Sequence, residues 1–141
     1  MSGLRTYLVE DSALIRRNLI ETLEELVRVD LVGTAEDGPT AVDWLRNPAH
    51  VFDLAIIDIF LKRGSGIDVL QAARSSCKNG KVVILTNFAA PEIRKRCLAL
   101  GADQVFDKSN EIDQLLRYCE RLASEVSGGP SQPAGGGEQC G

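Results

Sequence analysis

Two apolar runs in the middle of the chain most restrict what it can fold into. They are residues 54–60, in which Asp58 is the one polar residue, and residues 82–85. Apolar runs without polar alternation are typical of strands covered on both faces, as in the middle of a parallel sheet. Asp58 then lies at the end of such a strand, where open α/β sheets place their ligands. Because an ionised carboxylate beside so much apolar surface is costly, we expect Asp58 to bind something.

Strand and helix patterns alternate along the rest of the chain. Strands are predicted at residues 4–9, 31–35, 54–60, 82–85 and 104–106, and helices at about 12–27, 39–47, 67–77, 91–100 and 111–126. In the first helix an apolar stripe recurs at helical spacing, formed by Ile15, Leu19, Leu23 and Leu26 with Val27. This alternation predicts an α/β fold, a doubly wound five-stranded parallel sheet in the flavodoxin-like order 2-1-3-4-5, flanked by five helices.

Composition and charge narrow the class of protein. A chain of 141 residues, 44% of them hydrophobic, fits one globular domain, predicted at 1–127. Residues 128–141 are rich in Gly, Pro, Ser and Gln, and are expected to form a disordered tail or linker. The net charge of −4 argues against nucleic acid or a membrane surface as the partner. Four cysteines without a Cys-x-x-Cys pair, and an N-terminal apolar run too short for a signal peptide, favour the cytoplasm.

Polar residues collect at the predicted strand ends. Glu10 and Asp11 follow the first strand, Asp58 closes the third, Thr86 follows the fourth and Lys108 comes after the fifth. Because parallel strands end at one edge of the sheet, these residues should meet in one crevice. Three carboxylates so close together favour a hard divalent cation, and Mg²⁺ fits best. With a hydroxyl and an ammonium nearby to hold phosphoryl oxygens, the set indicates aspartyl-phosphate chemistry.

At these positions the sequence resembles the CheY-like receiver domain of two-component response regulators. The resemblance covers about residues 4 to 125 and rests on several spaced features: the pair Glu10-Asp11, Asp58 after an apolar strand, Gly66 eight residues on, Thr86, and Phe106 two residues before Lys108. It implies a phosphorelay receiver in which Asp58 accepts a phosphoryl group from a histidine kinase or a histidine phosphotransfer protein. Glu10, Asp11, Asp58 and the backbone carbonyl of Phe60 would hold Mg²⁺.

The resemblance also implies how the signal is read out. Thr86 and Lys108 would bind the phosphoryl oxygens, and Phe106 would be an aromatic switch that turns inward as Thr86 is drawn to the phosphate. The readout face would be helix four, strand five and helix five, acting on a downstream protein or a linked output domain. Phe60 and Phe88 stand where the family places side chains over the attacking water, so slow self-dephosphorylation is expected.

Other interpretations stay open at this point. We predict that the chain is not an enzyme, but a magnesium-dependent aspartyl-phosphate phosphatase is an alternative. Such enzymes commonly carry a second acid two residues after the nucleophile, where this chain has Phe60. A second alternative is a receiver-like binding module that is never phosphorylated, favoured by the unusual residues Glu10 and Asn87. Phe106 is alternatively a core residue, since a switch aromatic also packs.

Overall fold

A computed structural model describes residues 3–76, 79–87 and 89–128. In these residues five strands alternate with five helices. The strands are β1 (Leu4–Val9), β2 (Val29–Ala35), β3 (Leu54–Ile57), β4 (Lys81–Thr86) and β5 (Gln104–Asp107); the helices are α1 (Ala13–Leu26), α2 (Gly38–Arg46), α3 (Gly66–Ser75), α4 (Pro91–Ala99) and α5 (Ile112–Gly128). All strand pairs are parallel, in the order β2-β1-β3-β4-β5. The predicted doubly wound sheet is confirmed.

The sheet is covered on both faces, as the apolar runs predict. One face packs against α2, α3 and α4, and the other packs against α1 and α5. In β3, Ala55 and Ile57 belong to the first cluster, whereas Leu54 and Ile56 belong to the second. All four side chains are fully buried. A strand buried on both sides has no polar face, and this is why its sequence does not alternate.

The third strand is shorter than predicted, because it ends at Ile57 and not at residue 60. Its neighbour β1 ends at Val9, which is the register partner of Ile57. The Asp58 N–H makes the last link to β1, donating to the Val9 carbonyl at 3.0 Å. Beyond this point the chain leaves the sheet, and the Ile59 carbonyl accepts a hydrogen bond from the Gly66 N–H at the start of α3. Asp58 therefore stands just past the strand.

Local capping sets where the helices begin. Ser12 caps α1 by accepting from the Ile15 N–H, and Asp37 and Ser65 cap α2 and α3 in the same way. Of the stripe predicted for α1, Leu19, Leu23 and Val27 are buried, but Ile15 is 37% and Leu26 54% exposed. Leu26 is the last residue of α1, and Val27 after it has an extended backbone, so the helical spacing of the stripe does not continue to Val27.

The last helix reaches the start of the predicted tail. The helix α5 continues to Gly128, the first residue of the predicted tail, and residues 129–141 lie outside the described part of the chain. Among the helices that the structure describes, none combines the length and the apolar composition needed to cross a membrane.

Candidate functional site

The carboxyl ends of four parallel strands bring the predicted polar residues to one edge of the sheet. Glu10 follows β1, Asp58 follows β3, Thr86 ends β4 and Lys108 follows β5. Glu10, Asp58 and Thr86 are buried, with 2%, 5% and 0% of their surfaces exposed. These three are the buried polar residues at this edge of the sheet. The interior of the described part of the chain is otherwise almost wholly apolar. Because buried polar groups are costly unless bonded, the hydrogen bonds at this edge decide what it can do.

Lys108 joins two of the buried carboxylates. Its Nζ donates to Glu10 Oε1 at 2.6 Å and to Asp58 Oδ2 at 2.9 Å. Burial raises the pKa of Asp58 above its ordinary value, and the bonds from Lys108 oppose this without cancelling it. Burial alone would lower the pKa of Lys108, but its bonds to Glu10 and Asp58 outweigh that and raise it. The ammonium therefore stays charged, and it is fixed beside the Asp58 carboxylate.

Backbone N–H groups hold the remaining carboxylate oxygens in place. Glu10 Oε2 accepts from the Ser12 N–H at 3.0 Å, and Asp58 Oδ1 accepts from the Phe60 N–H at 3.2 Å. Asp11 Oδ2 accepts from the Lys62 N–H at 2.8 Å, which ties the loop after β1 to the loop after β3. The three acids are thus oriented by backbone N–H groups of the loops after β1 and β3, as a preorganised site requires.

The acidic cluster fits a divalent cation. One carboxylate oxygen each from Glu10, Asp11 and Asp58 can be chosen so that all three lie within 4.8 Å of one another. Hard oxygen ligands at this spacing suit Mg²⁺, which is usually bound by one or two carboxylates and keeps several waters. Both Glu10 oxygens already accept a hydrogen bond, one of them from the Lys108 ammonium. Both Asp58 oxygens also accept a hydrogen bond, one of them from Lys108, whereas among the described residues Asp11 accepts on Oδ2 alone. Asp11 is therefore the acid of the three with the more accessible oxygen for a cation.

Thr86 carries a hydroxyl that has no partner among the described residues. Its side chain is fully buried, and its Oγ1 makes no hydrogen bond. The Thr86 carbonyl accepts from the Lys108 N–H at 2.8 Å, so the two residues are held side by side. An unpaired buried polar group costs about 1–3 kcal/mol, and a ligand that bonds it recovers that energy. The Thr86 hydroxyl is a donor available for such a ligand.

Phe106 is placed differently from the predicted switch. In the register of β4 and β5, Leu85 pairs with Phe106 and Thr86 pairs with Asp107. Because side chains alternate along a strand, Phe106 and Thr86 point to opposite faces of the sheet. Phe106 packs in the cluster under α1 and α5, with its ring 6.0 Å from that of Tyr118. This packing favours the alternative, a core aromatic, over a side chain that turns inward beside Thr86.

Three further residues, Phe60, Asn87 and Phe88, follow the strands that end at the crevice. Phe60, two residues after Asp58, is 55% exposed. Phe88, which was predicted to act with it, lies outside the described residues. Asn87 and Lys108 line a cavity of about 330 Å³ between α1 and α5. The peptide bond between Lys108 and Ser109 is trans, as are the other described peptide bonds.

Arg16 is a residue of the site that the sequence interpretation missed. It lies near the start of α1, and its guanidinium donates to the Glu10 carbonyl at 2.7 Å. The available signal was its position six residues after Glu10, in the first turns of a helix that starts next to the acidic pair. Arg94 of α4 is likewise turned inward, where its guanidinium donates to the Val105 carbonyl of β5 at 3.0 Å.

Comparison with known proteins identifies the class that this fold and site define. The family model described as "Response regulator receiver domain" matches residues 6–120. The chain belongs to this family, and it is a receiver domain of the phosphorelay type.

The relatives show which kinds of protein contain such a domain. The chain is 33% identical over 120 residues to the transcriptional regulatory protein PdtaR of Mycobacterium tuberculosis, covering 85% of this chain and 57% of that protein. It is 29% identical over 125 residues to a protein-glutamate methylesterase/protein-glutamine glutaminase of Methanospirillum hungatei, covering 87% of this chain and 36% of that protein. The chain thus spans about half the length, or less, of these curated relatives.

A solved structure agrees with the fold. The signal receiver domain of the putative response regulator NarL from Mycobacterium tuberculosis superposes with a TM-score of 0.76 at 24% identity, covering 88% of this chain and 98% of that one.

Proposed function

We propose that this receiver domain accepts a phosphoryl group on Asp58 from a phosphohistidine of a histidine kinase or a histidine phosphotransfer protein. A carboxylate oxygen of Asp58 forms the new P–O bond while the P–N bond breaks, and the imidazole leaves with the electron pair. The observation that carries the proposal is the buried Asp58 carboxylate, held by Lys108 at 2.9 Å beside two further acids. When a nucleophile is fixed among groups that bind phosphoryl oxygens, positioning and charge stabilisation supply most of what phosphoryl transfer requires.

Each residue of the site has a role in this proposal. Lys108 neutralises charge on the phosphoryl oxygens, and the unbonded Thr86 hydroxyl donates to one of them. Glu10, Asp11 and Asp58, with the Phe60 backbone carbonyl, would hold Mg²⁺; this is the set that the family resemblance implies. When bound, Mg²⁺ offsets the negative charge that collects between the carboxylates and the phosphoryl group.

A receiver whose only reaction is its own phosphorylation must act through the proteins that it contacts. We assign it no enzymatic activity of its own, and we expect it to act on a downstream protein or a linked output domain, without contacting nucleic acid or membrane itself. Residues 1–127 form the receiver, and the remainder serves as a tail or linker. Cys97 and Cys119 are buried free thiols, in keeping with the reducing cytoplasm as its location.

Intact mass after incubation with a small phosphodonor tests the proposal. Wild type, Asp58→Asn and Asp68→Asn are each incubated with acetyl phosphate and Mg²⁺; Asp68→Asn is the matched control, because Asp68 is an exposed acid outside the cluster. We expect one phosphoryl adduct on wild type and on Asp68→Asn, and none on Asp58→Asn. Continuous phosphate release without an adduct would favour the phosphatase. No adduct and no release would favour the binding module that is never phosphorylated.

A further inference from the structure

The loop after β4 is anchored by side chains of other elements. Ala89 follows Thr86 by three residues, and both of its backbone polar groups are taken. Its N–H donates to Asp107 Oδ2 at 3.2 Å, and its carbonyl accepts from Arg94 Nε at 3.1 Å. The helix that follows, α4, has no side-chain cap at Ala90. The position of this loop therefore depends on Asp107 and Arg94.

Arg94 joins three elements through its guanidinium. Besides the Ala89 carbonyl it binds the Val105 carbonyl of β5 at 3.0 Å and Glu111 Oε1, just before α5, at 2.6 Å. Glu111 Oε1 also accepts from the Asp107 N–H at 2.9 Å. The bond from Arg94 holds the pKa of Glu111 below its usual range, so this carboxylate is ionised at neutral pH. We call these four residues, Ala89, Arg94, Asp107 and Glu111, the Arg94 clasp.

The clasp connects the two loops that carry the phosphoryl-binding groups. Thr86 precedes the loop that holds Ala89, and Lys108 directly follows Asp107. On β5 the side chain that shares a face with Thr86 is Val105, because Phe106 lies on the other face. Val105 has no aromatic ring to follow a movement of Thr86. Among the described residues, the clasp thus forms a polar connection between the end of β4 at Thr86 and the helices α4 and α5.

We propose that Arg94 is a positioning residue that holds the β4–α4 loop in the arrangement in which Thr86 leaves its hydroxyl unbonded, and so restrains phosphorylation of Asp58. This inference rests on the proposed function. Drawing the Thr86 hydroxyl to a phosphoryl oxygen moves the loop that Arg94 and Asp107 fix at Ala89. Loosening the clasp lowers the cost of that movement, and it shifts the equilibrium toward the arrangement that binds the phosphoryl group.

The rate of adduct formation with acetyl phosphate and Mg²⁺ tests the inference. Arg94→Gln is expected to gain the adduct about threefold faster than wild type or more, because coupling of this kind changes equilibria by factors of that order. Glu111→Gln keeps the shape of its side chain and removes its charge, so a smaller increase is expected. It also serves as the second variant if Arg94→Gln does not fold.

Arg74→Gln is the matched control. Arg74 and Asp103 form an ion pair of 2.7 Å with side chains 31% and 30% exposed, close to the 2.6 Å and the 34% and 28% of Arg94 and Glu111. Asp103 lies before β5, at the opposite edge of the sheet from Asp58. A general loss of stability would affect both arginine variants, whereas the proposed coupling raises the phosphorylation rate in Arg94→Gln alone.

A second comparison asks whether Arg94 acts through the Thr86 hydroxyl. Thr86→Val keeps the shape of the side chain and removes the donor. In this background Arg94→Gln should leave the phosphorylation rate unchanged. An increase that persists without the hydroxyl would overturn the inference, as would an unchanged or lower rate for Arg94→Gln alone while wild type is phosphorylated normally. Absence of any adduct on wild type would instead overturn the proposed function, and this inference with it.

Discussion

Lys108 forms ion pairs with two buried carboxylates that would otherwise repel each other. Its Nζ lies 2.6 Å from a Glu10 oxygen and 2.9 Å from an Asp58 oxygen, and its side chain is only 9% exposed. A buried ion pair adds little stability compared with apolar residues, but removing one partner leaves an uncompensated charge. At this site the loss of the lysine would leave two such charges, and a bound cation is the natural substitute.

Lys108→Gln should therefore be unstable mainly in the absence of a divalent cation. We expect a fall of about 3 kcal/mol in the free energy of unfolding in EDTA, the order of loss that follows when a buried ion pair is broken. Mg²⁺ should recover more stability in this variant than in wild type. Urea denaturation with and without Mg²⁺ measures both effects. Lys81→Gln, an exposed lysine at the start of β4, should respond like wild type; equal responses in all three proteins would contradict the prediction.

The raised pKa of Asp58 makes a prediction about pH. A carboxyl group whose pKa is higher in the folded than in the unfolded protein favours folding while it is protonated, and it loses that contribution as pH rises through the folded pKa. Asp58→Asn has no such group. In EDTA the variant should therefore be more stable than wild type at pH 7, and the difference should shrink as pH falls below the raised pKa. Denaturation at several pH values measures this, and a difference that grows toward acid pH would contradict it.

Phe60 bears on the lifetime of the phosphoryl group. Its exposed ring stands two residues after Asp58 and can neither orient nor activate a water. We expect Phe60→Asn, which supplies an amide for that water, to lose the phosphoryl group about tenfold faster. This is less than the roughly 100-fold or more of general acid–base catalysis, because an amide orients the water without taking its proton. Decay of the adduct after removal of acetyl phosphate measures the rate. Phe60→Leu is the control, and equal lifetimes for Phe60→Asn and Phe60→Leu would contradict the prediction.

At the scale of elements, the connection between β3 and α3 fixes the position of Asp58, the proposed phosphoryl acceptor. Gly66 begins α3, and a Cβ on it would overlap the backbone carbonyl of Asp58 and the Cα of Ile59. The first turn of α3 thus packs directly against the backbone that carries Asp58. The absence of a side chain at Gly66 is what allows this approach.

Gly66→Ala should disturb both stability and the site. We expect the free energy of unfolding to fall by about 2 kcal/mol, because a methyl group must be fitted where backbone already lies. The rate of adduct formation should fall as well, since Asp58 is displaced. Gly33→Ala is the control, because its Cβ would approach the Tyr7 and Trp44 side chains at 3.1 and 3.2 Å, far from Asp58. Adduct formation by Gly66→Ala at the wild-type rate would contradict the prediction.

The elements also show what sequence could predict and what it could not. The apolar runs predicted β3 and β4 because a doubly covered strand has no polar face, and the strand ends correctly gathered Glu10, Asp58, Thr86 and Lys108. The face of β5 was harder to predict, because its four residues show no clear apolar alternation, and Phe106 was assigned beside Thr86.

Arg94 and Glu111 could not be predicted as partners. They are seventeen positions apart, and Arg94 is followed by Lys95 and Arg96 in a run that is typical of an exposed helix surface. Their contact depends on how α4 lies against β5, which no local pattern encodes.

At the scale of the whole molecule, the family and the site describe a module whose effect depends on what it contacts. The relatives include a transcriptional regulator and a methylesterase, and the chain spans about half of the first and about a third of the second. Shared receiver architecture therefore leaves the output to other segments or partners. We propose that this chain itself contributes the phosphoryl acceptor and, through α4 and α5, the surface that reads it out.

The central claim is that Asp58, and no other acid, carries the phosphoryl group. Borohydride reduces an acyl phosphate to an alcohol, so treating the acetyl phosphate adduct with borohydride and sequencing its peptides by mass spectrometry maps the modified residue. The account predicts a reduced side chain at position 58 in wild type, and no reduced residue in Asp58→Asn. Reduction at Glu10, Asp11 or any other acid, with Asp58 intact, would contradict it.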